Sequence, residues 1–214
     1  MICGGSEASI HPLVFHSMNK LSTLCNDYDD PQTASRPFDK KRNGFVIGEG
    51  SGVLVLEELS HAEKRGAKIY CEIVGYSSVS DGFHLTRPTD DGEGGFRSMM
   101  NACIENSISP YEIDLVNCHA TSTESGDVSE LNALKNLFGN EKYKDIGNLI
   151  TDHKNFEFNL KNDNIDNSRL KKLKLNANKS QIGHLLAAAG SVELIYMILS
   201  MSNVCFFLIK GSNT

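Results

Sequence analysis

The sequence predicts an α/β fold, and three observations carry that prediction. Alternating or β-branched apolar segments recur between amphipathic helical ones. Clusters of glycine, asparagine and aspartate separate them as turns. Two apolar runs, "VLVLEEL" and "HLLAAAGSVELIYMIL", read as a strand and a helix, each needing a covered face.

Taken in order, Met1 to Gly5 is an apolar trio running into Gly-Gly, which reads as the end of a buried strand. Pro12 to Leu21 reads as a short helix. "CNDYDDPQTASRPFDKKRNG" is polar and turn-rich, hence a loop. "FVIGEGSGVLVLEEL" has two readings. A phosphate-cradling glycine loop must lead from a strand into a helix, so that free N–H groups meet the anion. Val53 to Leu56 is instead an apolar run with β-branched residues, which favours a tight strand–turn–strand. "LSHAEKRGAK" is a short helix stopped by Gly66. "IYCEIVGYSSVS" alternates as a strand does, and "DGFHLTRPTDDGEGG" is a loop. "FRSMMNACIENS" is an amphipathic helix. "ISPYEIDLVNCHA" is a turn and a short strand ending at His119, and "DVSELNALKNLFG" is a helix ending at Gly139. Asn140 to Lys174 is rich in Asn, Asp and Lys without a clean period, and is expected to be an exposed, poorly ordered insertion. "LKLNAN" returns to strand character from Leu173, and Gly183 to Met201 is a strong helix.

The net charge of -6 over 214 residues argues against nucleic acid as a main partner, because phosphate binding needs a basic footprint. The six cysteines, Cys3, Cys25, Cys71, Cys103, Cys118 and Cys205, include no C-x-x-C pair. That spacing suggests no metal site and fits reduced thiols of an intracellular protein. "MICGGSEASI" lacks the basic start and long apolar core of a secretory signal. The apolar region Leu185 to Ile209 is interrupted by Glu193 and Asn203, which fits a buried helix and a short strand better than a transmembrane segment.

Two stretches carry chemistry. "VNCHATSTESGD" puts His119 at a strand end, where α/β folds gather functional groups. "NKSQIGHLLAAAG" puts His184 where a loop enters a helix, whose N-terminus favours developing negative charge. Lys179 lies five residues earlier. Two imidazoles and an ammonium can converge on one oxyanion, and the hydroxyls of Thr121, Ser122 and Thr123 can bond a polar, uncharged ligand arm. On spacing alone the better reading of each histidine is a satisfied, partly buried residue, and the hydroxyl run by itself is a weaker signal still, since hydroxyl residues commonly cap helices.

Together, "NCHATSTESGD" and "NKSQIGHLLAAAG" resemble the β-ketoacyl-[acyl-carrier-protein] synthases, with the type II stand-alone and mitochondrial enzymes most similar. "GGSEASIHPL", "STLCNDYDDPQTASRPFDKKRNGFVIGEGSGVLVLEEL", "HAEKRGAKIYCEIVGY" and "SDGFHLTRP" agree in the same order. The resemblance implies a thiolase-like fold of αβαβα layers. Residues 1–75 would end the N-terminal half. Residues 76–201 would form much of the C-terminal half, with an insertion at about 140–174, and 202–214 a divergent tail that resembles no family segment. It implies fatty-acid chain elongation, in which malonyl-carrier protein loses carbon dioxide and the resulting carbanion attacks an acyl-cysteine. His119 and His184 match the histidines that hold the malonyl thioester oxygen. Lys179 matches an active-site lysine, paired in the family with a glutamate that here is Glu130. Thr121 and Thr123 match the threonines that bind the phosphopantetheine arm, Thr86 lines its tunnel, and Asp127 and Asp81 brace loops beneath. The two imidazoles are expected within about one small molecule of each other, facing one cavity.

The family nucleophile sits in an Ala-Cys motif upstream of the Gly-Gly-x-Glu strand end. None of the six cysteines occupies such a motif, so no nucleophile is expected in this sequence and the chain alone is expected not to elongate acyl groups. Two other readings stand: a shortened homologue that binds carrier protein or acyl chains without catalysis, and a polyketide-synthase ketosynthase. The resemblance further implies acyl carrier protein as partner, a homodimer, no resident cofactor, and a mitochondrial or plastid location, or otherwise the cytosol.

Overall fold

The computed structural model describes residues 1–145, 147 and 165–203. They fall into two compact units. Of these, one contains residues 1–72, 119–123 and 176–203; the other contains residues 73–118, 124–145, 147 and 165–175.

In the first unit, β1 (Ile2–Glu7) pairs antiparallel with β2 (Gly50–Val55), placing Gly5 opposite Gly52 and Glu7 opposite Gly50. The strand–turn–strand expected within "FVIGEGSGVLVLEEL" does not form. The glycines lie on and before β2, whose partner is β1. Phe45 is held elsewhere, because its N–H bonds Thr23 O and its carbonyl takes Cys25 N–H. The phosphate-loop reading also falls, since the glycines run into a strand.

Helix α1 (Pro12–Lys20) starts as its sequence suggests, with proline in the first turn and the His11 side chain accepting from Leu13 N–H. Helix α2 (Leu59–Lys64) ends before Gly66. Gly5 is required for packing rather than for its own torsion angles. A Cβ there would lie 2.3 Å from the Ala187 carbonyl oxygen. The bare strand lets the 186–189 turn close down on β1, and Glu7 fastens it by accepting Ala187 N–H. Leu185, Ala188 and Ala189 form the buried cluster under that turn, with Ile182 and Val192 packed against it.

In the second unit, α3 (Glu93–Glu105) packs on α4 (Glu124–Phe138), and β3 (Leu115–Asn117) pairs with β4 (Lys174–Asn176). Residues 69–80, expected as a strand, form no ladder among the described residues. Alternation makes a segment fit for a sheet, but a strand needs partner backbone. Here Tyr76 N–H is taken by the Glu105 carboxylate, and Gly75 lies against the Ala102 carbonyl.

The expected insertion is more ordered at its edges than its composition suggested. Tyr143 is buried in a 3-10 turn, and α5 (Asn167–Lys172) carries buried Arg169, which donates to the carbonyls of Pro110 and Ile113. Asn140 and Asp166 there act as caps, Asn140 of the 3-10 turn and Asp166 of α5. Residues 146 and 148–164 of that insertion, and the expected strand and tail beyond residue 203, lie outside the described residues.

The helix expected from Gly183 is divided. A short α6 (Lys179–Ile182) comes first, then a 3-10 turn at 186–188, then α7 (Ala189–Asn203). Gly183, at φ 73°, and His184 separate them. Among the described residues no helix is long and apolar enough to cross a membrane.

Candidate active site

His119 follows β3 by two residues, and His184 sits between α6 and the 186–188 turn. Their ring centroids are 5.2 Å apart, edge to face at 87°. The structure therefore brings together two residues 65 positions apart in sequence. Phe45 packs its ring edge-on to His184, with centroids 5.1 Å apart. Beyond Phe45 lies a cavity of about 440 Å3, lined among others by Phe15, His16, Leu24, Cys25 and Ile47. Neither imidazole lines that cavity; they face each other.

His184 does not begin a helix. Its N–H donates to Val46 O at 2.7 Å and its carbonyl accepts from Gly48 N–H at 3.0 Å, as a short parallel bridge. An extended residue committed at both backbone groups cannot join a helical ladder. The long helix starts at Ala189, so its end lies a full turn beyond His184, and the dipole argument does not apply there. What the backbone supplies is a tautomer. Leu186 N–H donates to His184 Nδ1 at 3.2 Å, which leaves the proton on Nε2.

Burial, followed by the Lys179 charge, pushes His184 down to about 4. Protonating Nδ1 would also displace the Leu186 bond. Burial, Lys179 and His184 together push His119 to about 4. By surface area His119 is exposed and His184 is half-buried. Both imidazoles are thus neutral donors near pH 7.

Lys179 is 1% exposed. Its Nζ bonds Glu193 Oε1 at 2.5 Å, and Glu193 on α7 is buried too. Glu193, rather than the expected Glu130, is the carboxylate paired with this lysine. The reason is local: α6 and α7 both flank the buried cluster at 185–189, which sets their side chains against each other. In the sequence Glu193 shows only as a break in an apolar run. A lone carboxylate on a buried helix needs a cation, and that was the available signal.

Thr121 and Ser122 are buried, and Thr123 is half-buried. The Oγ1 atoms of Thr121 and Thr123 hydrogen-bond each other at 2.9 Å, forming a two-hydroxyl pair. Ala120 (φ 38°) and Ser122 (φ 68°) adopt left-handed backbone, a strain of about 1–3 kcal/mol each. It is held because Ser122 O accepts Gly44 N–H and Ser122 Oγ accepts Arg36 N–H.

The remaining expected residues belong to the second unit. Asp127 is fully buried in the first turn of α4, Glu130 lies one turn later on the same helix, and Asp81 lies against Gly94 of α3. Thr86 is exposed on a loop, where its N–H bonds His84 Nδ1. Burial pushes the Cys103 thiol up to about 11, and Cys118 is 1% exposed.

Known proteins resemble this chain along nearly its whole length. The family model "Beta-ketoacyl synthase, N-terminal domain" matches residues 1–62, and "Beta-ketoacyl synthase, C-terminal domain" matches residues 70–155 and 147–206. The 3-oxoacyl-[acyl-carrier-protein] synthase 2 of Vibrio harveyi is 40% identical over 94% of this chain and 42% of its own. The mitochondrial 3-oxoacyl-[acyl-carrier-protein] synthase of Arabidopsis thaliana is 41% identical over 94% of this chain and 38% of its own. Among solved structures, a type II polyketide ketosynthase in complex with its acyl-carrier protein superposes with a TM-score of 0.77 at 33% identity, covering 94% of this chain and 42% of that one. A β-ketoacyl synthase from Burkholderia phymatum STM815 gives 0.75 at 32% identity, covering 94% and 41%. The chain thus spans less than half the length of these relatives.

Proposed function

The chain belongs to the β-ketoacyl synthase family and has its thiolase-like α/β fold, and from that premise we propose that it carries the thioester-activating half of a 3-oxoacyl-[acyl-carrier-protein] synthase. The observation that carries the reading is the edge-to-face pair of imidazoles, which burial and the charge of buried Lys179 push towards the neutral form. A malonyl thioester oxygen accepts the His184 Nε2–H and a second hydrogen bond from His119. The bond from the α-carbon to the carboxylate breaks, carbon dioxide leaves, and the electron pair delocalises onto that oxygen as an enolate. Donors already aimed at the oxygen stabilise charge as it develops, without reorganising. Lys179 adds a positive field, and Glu193 keeps it in place. The Thr121–Thr123 hydroxyl pair receives the amide-bearing pantetheine arm, which is substrate and not a resident cofactor. The enolate carbon then attacks an acyl thioester, whose thiolate departs as the new carbon–carbon bond forms.

Acyl carrier protein is the proposed partner, supported by a solved ketosynthase captured with its own. A homodimer and a mitochondrial location are proposed with it, the latter supported by the Arabidopsis relative. The polyketide reading has one observation in its favour, the TM-score of 0.77 to a polyketide ketosynthase. The greater identity to fatty-acid enzymes, 40–41% against 33%, weighs the other way. The test is release of carbon dioxide from malonyl-carrier protein. His119→Ala and His184→Ala should each slow it about 10²–10³-fold. A rate unchanged in both variants would end the reading.

A further inference from the structure

The segment from Ser35 to Gly48, expected only as a polar loop and the start of a strand, hydrogen-bonds each of the three stretches that carry the site. Ser35 Oγ donates to Lys179 O, and Arg36 N–H to Ser122 Oγ. Gly44 N–H donates to Ser122 O, while Val46 O and Gly48 N–H take both backbone groups of His184. These contacts are made by backbone or a small hydroxyl. One is made by a long side chain. Arg42 is half-buried; its Nε donates to Thr123 O at 3.0 Å and its Nη1 to Asp39 O at 2.9 Å. The guanidinium thereby ties its own loop to the carbonyl of the residue whose hydroxyl bonds Thr121. Thr123 follows Ser122, whose left-handed backbone has to be held in place from outside.

We propose that Arg42 is a positioning residue that fixes the Thr121–Thr123 hydroxyl pair so that it meets the amide groups of a pantetheine-like thioester arm. The proposal rests on the functional reading above and deepens it. Binding of the arm then depends on Arg42, while the His184 imidazole that donates to the thioester oxygen is held by other bonds, to Val46, Gly48 and Leu186. Two separate N–H donors in a rigid plane are needed. A lysine keeps the charge but is a single flexible point and cannot hold both carbonyls in one geometry.

The test uses Arg42→Lys and Arg42→Ala in the full chain, with malonyl-pantetheine as probe. The expected result is a KM raised about tenfold, with kcat within about twofold of wild type, the signature of lost binding without lost activation. In methyl spectra of the ligand-free protein, the Thr121 and Thr123 signals should move in both variants, while Thr33 and Thr89 stay. Unmoved Thr121 and Thr123 methyls overturn the proposal whatever the activity. Methyls that move with KM unchanged, or a fall in kcat at constant KM, also overturn it, leaving Arg42 a loop staple. If wild type itself neither binds nor decarboxylates the probe, the functional reading fails, and the methyl comparison alone still decides whether Arg42 sets the pair.

Discussion

The first unit holds two acid–base clusters of similar make-up and opposite setting. Lys179 and Glu193, 14 residues apart, meet at 1% and 8% side-chain exposure. Glu57 and Arg65 meet at 21% and 56%, with His61 also on Glu57. The bonds are alike in length, 2.5 Å for one and 2.6–2.7 Å for the other. Their consequences differ. The surface pair competes with water at every atom, so it contributes little. The buried pair cannot exchange its partner for water, so each charge depends on the other, and its field reaches two imidazoles. A salt bridge is therefore informative about function where it is dry, not where it is short.

The largest effect should come from breaking the buried pair on one side. Glu193→Gln leaves an ammonium with no anion and is expected to cost about 3–5 kcal/mol in denaturant unfolding. Replacing both partners, Lys179→Met with Glu193→Leu, should recover most of that loss, because burying neither charge is close to neutral. A double variant as unstable as the single one would show that the pair is not what the fold depends on. The double variant carries a second expectation. Without the Lys179 cation both imidazole pKa values should rise from about 4, while burial, their larger cause, keeps them below 6.5. Nitrogen-detected titration of the two rings reads this directly.

Next in size is the pH dependence. An imidazole held near 4 in the fold but near 6.5 when unfolded binds its proton preferentially in the unfolded chain. Stability is then full above pH 6.5 and is lost as pH falls from 6.5 towards 4. Unfolding midpoints at pH 7 and pH 5 should differ in that sense, and His184→Gln should shrink the difference. His119 contributes less than its shift suggests, because solvent reaches it.

What could be read from the sequence follows from which interactions leave a trace in residue type. His119, His184, Lys179 and the threonine pair lie in stretches whose chemistry and resemblance are visible; the structure sets the two imidazoles edge to face, pairs the Thr121 and Thr123 hydroxyls, and buries Lys179, whose charge acts on both rings. Glu193 was harder, since its partner is set by packing between α6 and α7. The bonds of Ser35–Gly48 leave almost no trace, because backbone amides and carbonyls are common to every sequence. The division of the Gly183–Met201 helix was missed for the same reason: His184's backbone is claimed by Val46 and Gly48 from a distant segment. Residues 69–80 failed differently, since alternation describes one chain and a ladder needs two.

The smallest expected effect separates the two clusters most cleanly. Hydrogen bonds from Arg65 and His61 hold the Glu57 carboxyl at about 2, below its usual 4.5. A depressed carboxyl contributes stability above its unfolded value and loses it as pH falls from 4.5 towards 2. Most of this window lies below the one in which the imidazoles act, with overlap only between about 4.5 and 4, so pH separates the two effects. Glu57→Gln should leave the unfolding midpoint at pH 7 nearly unchanged, since water readily replaces an exposed partner. It should slightly flatten the further decline below pH 4.5 and leave the decline between 6.5 and 4.5 as in wild type. Added salt should mute the wild-type signal below 4.5 more than the one above it, because only the surface charges are fully screened. A Glu57→Gln variant that lost as much stability at pH 7 as Glu193→Gln would remove the distinction between the wet and the dry pair.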